Sequence, residues 1–490
     1  MSSPISSDQP KGPTQQLTEW IQSMSFDKVP TTVHTRAKYI ILDGLACLLV
    51  GSHLPWSTKA VHAFQAFEPP GSGSCNVYGW NYKISPPSAA LLNSTFIQGF
   101  ELDDWHSEAP LHSNALLLPS LMATVEHEAA VGTTIISGKE FLLAAIIGYE
   151  VGPRVGLGLW GGHILSAGWH SGAVFGPAAV ASAVAKMLNL PASQIEDALG
   201  IACTQAGGLM SAQFGSEVKR MQHGFAARNG LCATFLARGG YIGIKQVFEQ
   251  PYGGFLTQFS AGNGKTPNFL PDEISKDLGK EWKIAGVRLK PYASMAGTHP
   301  TIDCVRLLQQ QYPEAVSSQG LQKIKSITIE MGSDAFHHGG WHPTRPLTSL
   351  GAQMCNAYVA ASQFIDHNVL IAQFEPAMLD RDAVWGLVEK TTCVQNDNLS
   401  KFAQRVTVSY EEGSGIGPIS GKVENARGVD PEMSNEDILE KWRQLTIGLV
   451  EDRTREEIES IVLNLESCKD IKALTDLMVE IGSTKGAFTP

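Results

Sequence analysis

The chain has 490 residues, with 37 Lys and Arg against 48 Asp and Glu, which gives a formal net charge of −11. This length predicts two or three folding units and excludes a single small binding module. The negative charge argues against a phosphate-neutralising surface, so no nucleic-acid partner is expected. Charged residues make up 17% of the chain, against roughly 25% in average globular proteins. Much surface should therefore be buried in a large core, a subunit interface or both.

The cysteines and the amino-terminal segment bear on the compartment. The eight cysteines are scattered singly without a CxxC pair, which predicts reduced thiols in an intracellular protein. The first residues, MSSPISSDQPKGPTQQ, lack the apolar core of a signal peptide, so we expect a cytoplasmic protein. Residues 164–185 are free of Asp, Glu, Lys and Arg but contain His170, Pro177 and several glycines. They predict a buried helix rather than a membrane span, and no membrane partner is expected.

Periodicity divides the chain into four segments. Residues 1–14 are polar and rich in Ser, Pro and Gln, which predicts a mobile tail. Residues 15–283 and 431–490 carry helical patterns, whereas 284–430 mix strand and helix patterns. We therefore predict a mainly α protein, in which both chain ends form a large all-helical domain around a smaller inserted α+β domain.

Local patterns predict individual elements within these segments. Ser-x-x-Glu capping boxes at Ser137 and Ser193 predict two helix starts. Small residues at 178–187 and 202–212 predict helices that pack closely. In the inserted segment, alternation of β-branched and polar residues predicts strands at 325–331 and 405–410, and apolar spacing predicts helices at 301–311 and 352–366. A capped helix is predicted to follow Ser434.

Common cofactor and hydrolase motifs are absent or out of context. Residues 156–161 match GxGxxG, but they follow a helical pattern rather than a strand. Residues 264–266 resemble the end of a P-loop without its first glycine, and neither GxSxG nor HExxH occurs. These patterns predict no nucleotide site.

The densest polar cluster lies between two apolar segments and contains Glu101, Asp103, Asp104, His106 and His112. Burying several ionisable groups costs free energy unless they pair or take part in chemistry. Histidines beside carboxylates exchange protons near neutral pH, which favours an acid–base site. A capped turn with buried ion pairs and a divalent-metal site are the alternatives, although the spacing matches no closed set of metal ligands.

Three further segments hold candidate residues. His170 is flanked by small residues and is either a core histidine or a site residue. Lys219 and His223 lie in a basic segment between apolar helices, which is either a solvated loop or a carboxylate-binding site. Lys290 and Met295 lie at the predicted domain junction, and clefts between domains often bind ligands.

Together these segments resemble the MmgE/PrpD family, and within it the fungal cis-aconitate decarboxylases most closely. The matching strings include FELDDWHSEAPLHS, GWHSGAVFG and DALGIACTQAGGLMSAQFGSEVKRMQHGFAARNG. The likeness covers nearly the whole chain. It implies a homodimer whose large helical domain is joined by a smaller lid domain.

The resemblance also implies site residues. It leads us to assign catalysis to Asp103, Asp104, His112, His170 and Lys219, and no metal. Substrate binding is assigned to Lys290, Tyr358, His106, His223 and Met295. Three positions depart from the animal decarboxylases of the family, which have aspartate in place of Glu101, threonine in place of Trp105 and histidine in place of Met295.

The implied substrate is a small tricarboxylate, cis-aconitate. Loss of CO2 leaves a carbanion that delocalises into a conjugated carboxylate, so no cofactor is needed if cations stabilise the developing charge. We expect Lys219, Lys290 and His170 to bind carboxylates, His112 to donate the proton, and Asp103 or Asp104 to orient a histidine. A 2-methylcitrate dehydratase of the same family and a non-catalytic tricarboxylate-binding relative are the alternatives.

Overall fold

The chain folds into two compact units. The computed structural model describes residues 10–132, 134–213, 216–400 and 402–480. Within them, the first unit comprises residues 10–99, Asp103–Val287 and 438–480, and the second comprises Phe100–Leu102 and Arg288–Asp437. The chain leaves the first unit after Val287 and returns to it after Asp437, whereas composition predicted boundaries after residues 283 and 430.

The first unit consists mainly of helices. In chain order they are α1 (Pro13–Ser23), α2 (Thr31–Gly51), α3 (Pro55–Phe67), α4 (Pro86–Ile97), α5 (Ser113–Val131), α6 (Gly138–Gly158), α7 (His163–Ser166), α8 (Ser171–Met187), α9 (Ala192–Cys203), α10 (Gln222–Arg238) and α11 (Phe255–Phe259). The short strands are β1 (Cys75–Asn76), β2 (Lys83–Ile84) and β3 (Trp105–His106), so this part of the chain is not purely helical.

The start of α1 corrects the predicted tail. Residues 13 and 14, which were assigned to the tail, belong to the helix, and Thr14 is fully buried. Pro13 suits the first helical position because its φ is already close to the helical value. Residues 1–9 lie outside the described residues.

The core of the first unit lies where α6, α8 and α10 pack together. At Gly230 of α10, a Cβ atom would lie 2.6 Å from Cβ of Val180 and 2.7 Å from the Pro177 carbonyl oxygen. The predicted close packing of the small-residue helix at 178–187 is therefore confirmed. Helix α6 is long and apolar enough to span a membrane by length and composition alone, and 94% of its apolar window is buried inside the protein.

Of the two predicted capping boxes, one is confirmed and one is wrong. The Ser137 hydroxyl accepts the Glu140 N–H at 3.3 Å, and the Glu140 carboxylate accepts the Ser137 N–H at 2.7 Å. Helix α9 instead begins at Ala192, because Pro191 in extended conformation takes the N-cap position ahead of Ser193. The predicted helix at 202–212 is also wrong, since α9 ends at Cys203 and a pair of helix-disfavouring glycines follows.

The second unit combines a sheet with helices, and the chain then returns to the first unit. In order, the elements are β4 (Val287–Arg288), α12 (His299–Gln311), α13 (Ser318–Gln322), β5 (Ile324–Met331), α14 (Ser333–Gly339), α15 (Ser349–Gln353), α16 (Asn356–Asp366), α17 (Asp382–Val388), β6 (Thr391–Gln395), β7 (Gln404–Tyr410), β8 (Ile419–Val423), α18 (Asn435–Thr446), α19 (Asp452–Leu463) and α20 (Lys472–Glu480).

The sheet of the second unit has the strand order β6-β5-β7-β8. Strand β6 is parallel to β5, and the other neighbours are antiparallel. Buried and partly exposed residues alternate along β7, as they do along most of β5, which confirms both predicted strands. Helix α12 is confirmed, as is the helix capped by Ser434, whereas the predicted helix at 352–366 is broken between α15 and α16. The mainly α fold class is confirmed.

Candidate active site

Three predicted site residues of the first unit, the catalytic His112 and His170 and the substrate-binding His223, lie at the amino-terminal ends of helices. His112 immediately precedes α5, and His170 immediately precedes α8. Lys219 lies in a 3₁₀ turn, Glu217–Met221, and His223 is the second residue of α10. Because these helices are the packed core of the unit, their ends hold the side chains on a rigid frame.

Three histidines meet in one cluster, which we call the histidine cluster: His112, His170 and His223. The ring of His223 lies between the other two, with centroid distances of 5.0 Å to His112 and 5.1 Å to His170. Both contacts are edge-on. His223 and His170 are buried, whereas 18% of the His112 side chain is exposed. The structure therefore brings together three residues that are far apart in sequence.

Asp103 lies against the imidazole of His112. Its Oδ2 is 3.0 Å from Nδ1 of His112, and the Asp103 side chain is fully buried. A carboxylate at one ring nitrogen fixes the orientation of an imidazole and leaves the other nitrogen, here Nε2, for proton transfer. The carboxylate thus lies within ion-pair distance of Nδ1, as an oriented acid–base histidine requires.

Asp104, the next residue, faces the backbone instead. Its carboxylate accepts the N–H groups of Ser113 at 2.8 Å and Asn114 at 2.9 Å, at the start of α5. Burial and the neighbouring charge of Asp103 raise the pKa of Asp104 to about 7. Asp104 thus caps the helix that begins beside His112, and the two acids of the pair have different partners.

Asn114 ties the start of α5 to two other helices. Its Nδ2 donates to the Ile40 carbonyl oxygen of α2 at 2.8 Å, and its Oδ1 accepts the Tyr149 hydroxyl of α6 at 2.6 Å. All these groups are buried. Sequence reasoning missed this residue, since a single Asn in an apolar run carries no distinctive pattern.

His170 is held by its backbone rather than by its ring. Its N–H donates to the Gly208 carbonyl oxygen at 3.0 Å. Its Nδ1 is buried and has no hydrogen-bonding partner within the described residues. Burial, reinforced by His112, lowers the pKa of His170 to about 3. The ring is therefore neutral near pH 7, and it can bind a carboxylate only as an N–H donor.

Lys219 and Arg220 are both buried, so the solvated-loop interpretation of this segment is wrong. The Arg220 guanidinium stacks on Trp56 at 4.1 Å and donates to the Gly99 carbonyl oxygen. Burial lowers the pKa of Arg220 to about 9, although the negative charge of Asp103 opposes that shift. Sequence reasoning noted this basic segment but assigned no role to Arg220, and its position next to Lys219 was the available signal.

His106 has both ring nitrogens bonded to backbone. Its Nε2 donates to the Lys283 carbonyl oxygen at 2.9 Å, and its Nδ1 accepts the N–H of Ala109 at 3.1 Å. The ring also lies so close to Gly286 that a Cβ there would be 2.3 Å from Nε2. The predicted substrate contact through His106 is thus not available, and the capped-turn interpretation describes this residue.

Lys290 of the second unit pairs with Glu101 of the same unit. Its Nζ lies 2.9 Å from Oε2 of Glu101, and both side chains are almost fully buried. Glu101 has a φ of +57°, a left-handed conformation that is uncommon and costly outside glycine. Such strained residues concentrate where a side chain must be aimed at a particular partner.

Tyr358 and Met295 also lie in the second unit. The buried Tyr358 hydroxyl donates to the Gln373 carbonyl oxygen at 2.9 Å, and burial raises the pKa of Tyr358 to about 12. Met295 is partly exposed, and its N–H donates to the Gln353 carbonyl oxygen at 3.0 Å. Substrate binding by Lys290, Tyr358 and Met295 stays a prediction.

Another buried ion pair, in the first unit, was missed by sequence reasoning. Lys441 of α18 places Nζ 2.6 Å from Oδ1 of Asp43 in α2, with both side chains buried. Within the described residues, no group of three or more His, Cys, Asp or Glu side chains is arranged to hold a metal ion.

Comparison with known proteins places the chain in a family. The models of the MmgE/PrpD N-terminal and C-terminal domains match residues 15–268 and 292–467. The cis-aconitate decarboxylase-like protein oryM of Aspergillus oryzae is 45% identical over 471 residues, which cover 95% of this chain and 97% of the relative. The cis-aconitate decarboxylase of Aspergillus terreus is 43% identical over 475 residues, or 95% and 96% of the two chains. Human cis-aconitate decarboxylase is 25% identical over 481 residues, or 96% and 95%. The chain belongs to the MmgE/PrpD family.

Proposed function

We propose that this protein is a cis-aconitate decarboxylase, which converts cis-aconitate into itaconate and CO2. The observation that carries the proposal is the buried Asp103–His112 pair within the histidine cluster. It occurs in a chain that is 43% identical, over 95% of its length, to the Aspergillus terreus cis-aconitate decarboxylase. A tricarboxylate substrate follows from the same likeness.

The proposed reaction breaks one C–C bond and forms one C–H bond. The bond between the CH2 carbon and its carboxylate breaks, CO2 leaves, and the electron pair stays on the substrate as an allylic carbanion. That pair delocalises through the double bond into the carboxylate at its far end, as an ene-diolate. A proton is then delivered to the carbon next to this carboxylate, which gives itaconate.

The residues of the first unit match the needs of this reaction. Nε2 of His112 delivers the proton, while Asp103 holds Nδ1 and balances the charge of the imidazolium. The buried ammonium of Lys219 stabilises the carboxylate that receives the electron pair. His170, neutral because of its burial, donates a hydrogen bond rather than a charge. Asp104 acts as a positioning residue through the backbone of α5.

Proton NMR of the purified, chelator-treated protein in D2O tests the proposal. Incubation with cis-aconitate should give itaconate with one deuterium at its saturated methylene carbon, because solvent supplies the proton. A parallel tube contains 2-methylcitrate. Unchanged cis-aconitate together with dehydrated 2-methylcitrate would reject decarboxylation in favour of the family dehydratase reaction.

We also propose that the protein is a cytoplasmic homodimer. Three large apolar side chains, Tyr241, Ile242 and Tyr252, are 65%, 75% and 97% exposed within one short stretch of the first unit. Clustered exposed apolar side chains are typical of interaction surfaces. All eight cysteines are free, as expected in a reducing compartment. Light scattering during size-exclusion chromatography should give twice the 52.8 kDa chain mass, and a monomer mass would reject the dimer.

A further inference from the structure

His223 occupies the centre of the histidine cluster, but the proposed reaction assigns it no step. Its ring lies edge-on to both His112 and His170, at about equal distances. The side chain is fully buried. A third imidazole that could take up a proton would compete with His112 as the proton donor. The protonation state of His223 therefore matters to the chemistry.

Gln98 determines which nitrogen of His223 carries a proton. Nδ1 of His223 lies 2.6 Å from Oε1 of Gln98, and both side chains are fully buried. An amide oxygen only accepts hydrogen bonds, so Nδ1 is the donor. Gln98 directly follows α4, and α10 approaches α4 closely because a Cβ at Gly224 would lie 2.6 Å from the Leu91 carbonyl oxygen. The packing of these two helices therefore fixes the contact.

Nε2 of His223 faces the amino-terminal end of α8. A Cβ atom at Gly172, the second residue of this 17-residue helix, would lie 1.9 Å from Nε2. The amino-terminal end of a helix carries partial positive charge, which disfavours a second proton on a nearby imidazole. Only glycine at position 172 leaves room for the His223 ring to come this close to the start of α8. The partial positive charge there favours an unprotonated Nε2.

A protonated His112 and the Arg220 guanidinium disfavour a second proton on His223, whereas the Asp103 carboxylate favours one. Nδ1 of His112 lies 3.0 Å from Asp103, and the rings of His112 and His170 both pack against His223. Arg220 lies three residues earlier in the chain and is buried. A charged His223 would stand about 5 Å from His112, and two like charges at such a distance repel each other strongly in a buried site.

We propose that Gln98 is a positioning residue that holds His223 as the neutral Nδ1–H tautomer, so that His112 alone among the three histidines delivers the proton. The tautomer is independent of the reaction catalysed. The statement about proton delivery rests on the proposed function. The Gln98 side chain is fully buried and its Oε1 contacts His223, so its role is exerted through His223.

Nitrogen-15 NMR of histidine-labelled full-length protein tests the tautomer directly. The His223 signals are identified as those missing from the spectrum of His223→Gln. Between pH 6 and 8, wild-type His223 should show a protonated Nδ1 and an unprotonated Nε2. An Nε2–H tautomer, or protonation of both nitrogens, would overturn the proposal. The spectrum reports the tautomer whether or not cis-aconitate is turned over. A failure of the proposed function can therefore be distinguished from a failure of the tautomer proposal.

Gln98→Glu supplies the functional readout. A carboxylate at this position accepts the Nδ1 proton and favours the imidazolium, so both nitrogens of His223 should become protonated. We expect kcat on cis-aconitate to fall about tenfold or more and its pH profile to change, with KM within about twofold. Gln322→Glu, an exposed site on α13, adds the same charge and should leave both unchanged. A folded Gln98→Glu protein with wild-type kcat and pH profile would refute the role of Gln98.

Discussion

The histidine cluster of the first unit and the Lys290–Glu101 pair of the second unit were predicted by one resemblance, yet their contacts differ. In the cluster, Nδ1 of His170 is buried without a hydrogen-bonding partner among the described residues, and His112 is partly exposed. In the second unit, Lys290 is paired with Glu101, and the Tyr358 hydroxyl is bonded to a backbone carbonyl. The cluster thus offers an unbonded histidine nitrogen beside an acid–base pair, whereas the charge of Lys290 is already compensated by Glu101.

Buried polar residues can either wait for a ligand or stabilise the fold by pairing with each other, and the contacts of the two regions distinguish these roles. Leaving a buried polar atom without a partner costs about 1–3 kcal/mol, so such an atom in a well-packed protein calls for a reason. A ligand that completes the hydrogen bond is one such reason. A buried ion pair needs no ligand, because each charge compensates the desolvation of the other. The cluster therefore has the features of a reaction site, and the Lys290 pair has the features of a fixed support.

The largest expected effect comes from the cluster. His112→Asn should lower kcat about 10²–10⁴-fold, because general acid catalysis contributes that much. Asp103→Asn should lower kcat by a smaller factor, since it disturbs the orientation of His112 but leaves the imidazole in place. Steady-state turnover of cis-aconitate measures both effects.

His62→Asn is the matched control, because His62 is an exposed histidine on α3 of the same unit. It should keep full activity. If His112→Asn kept full activity while remaining folded, the cluster would not contain the proton donor, and the comparison between the two regions would fail.

The sequence predicted those elements whose local pattern had no competitor. Strands β5 and β7 and the Ser137 cap are such cases. Where two local signals competed, the prediction failed, as at Pro191 ahead of Ser193. The break between α15 and α16 has a tertiary cause, because the Gln353 carbonyl oxygen accepts the Met295 N–H instead of continuing the helix.

The same reasoning explains which site residues were predictable. Asp103, Asp104 and His112 lie within ten residues of one another in an apolar context, and that density drew attention to them. Gln98 follows α4 and Lys441 lies among other polar residues of α18, and their partners are 125 and 398 positions away. Nothing in a local pattern identifies such a contact. The sequence also could not distinguish Asp103, which faces an imidazole, from Asp104, which caps a helix.

The next largest effect is expected on stability, and it tests whether the Lys290–Glu101 pair supports the fold. Glu101→Gln should lower the free energy of unfolding by about 3 kcal/mol, because the lysine loses its buried counter-charge. Glu101→Gln combined with Lys290→Met should recover most of this loss. Equilibrium unfolding in urea measures both variants.

Lys472→Gln serves as the control, since its pair with Asp476 is exposed and should contribute less than about 1 kcal/mol. Equal, small effects of Glu101→Gln and Lys472→Gln would contradict the support role.

A smaller effect is expected in the pH dependence of stability within the first unit. Native His170, with its pKa lowered from 6.5 to about 3, resists the proton that the unfolded chain binds, so it destabilises the fold as pH falls from 6.5 to 3. Native Asp104, with its pKa raised from 3.8 to about 7, keeps a proton that the unfolded chain loses, so it destabilises the fold as pH rises from 3.8 to 7. The two contributions to the free energy of unfolding have opposite signs. Each changes by up to about 1.4 kcal/mol per pH unit.

Urea unfolding between pH 4.5 and 6.5 separates them. Relative to wild type, His170→Gln should become more stable as the pH is lowered, and Asp104→Asn should become less stable. The free energy of unfolding is plotted against pH for each protein. If both variant curves ran parallel to the wild-type curve, neither residue would have different pKa values in the folded and unfolded chains.

The smallest expected effect concerns Tyr358. Tyr358→Phe removes one buried hydrogen bond to a carbonyl oxygen, so it should cost about 1 kcal/mol of stability, with KM for cis-aconitate within about twofold of wild type. Tyr312→Phe, at an exposed site of the same unit, should change neither quantity. If Tyr358→Phe instead raised KM about tenfold with unchanged stability, the hydroxyl would bind substrate rather than the Gln373 carbonyl during turnover. The second unit would then contribute ligand-binding groups of its own, and the contrast with the histidine cluster would have to be abandoned.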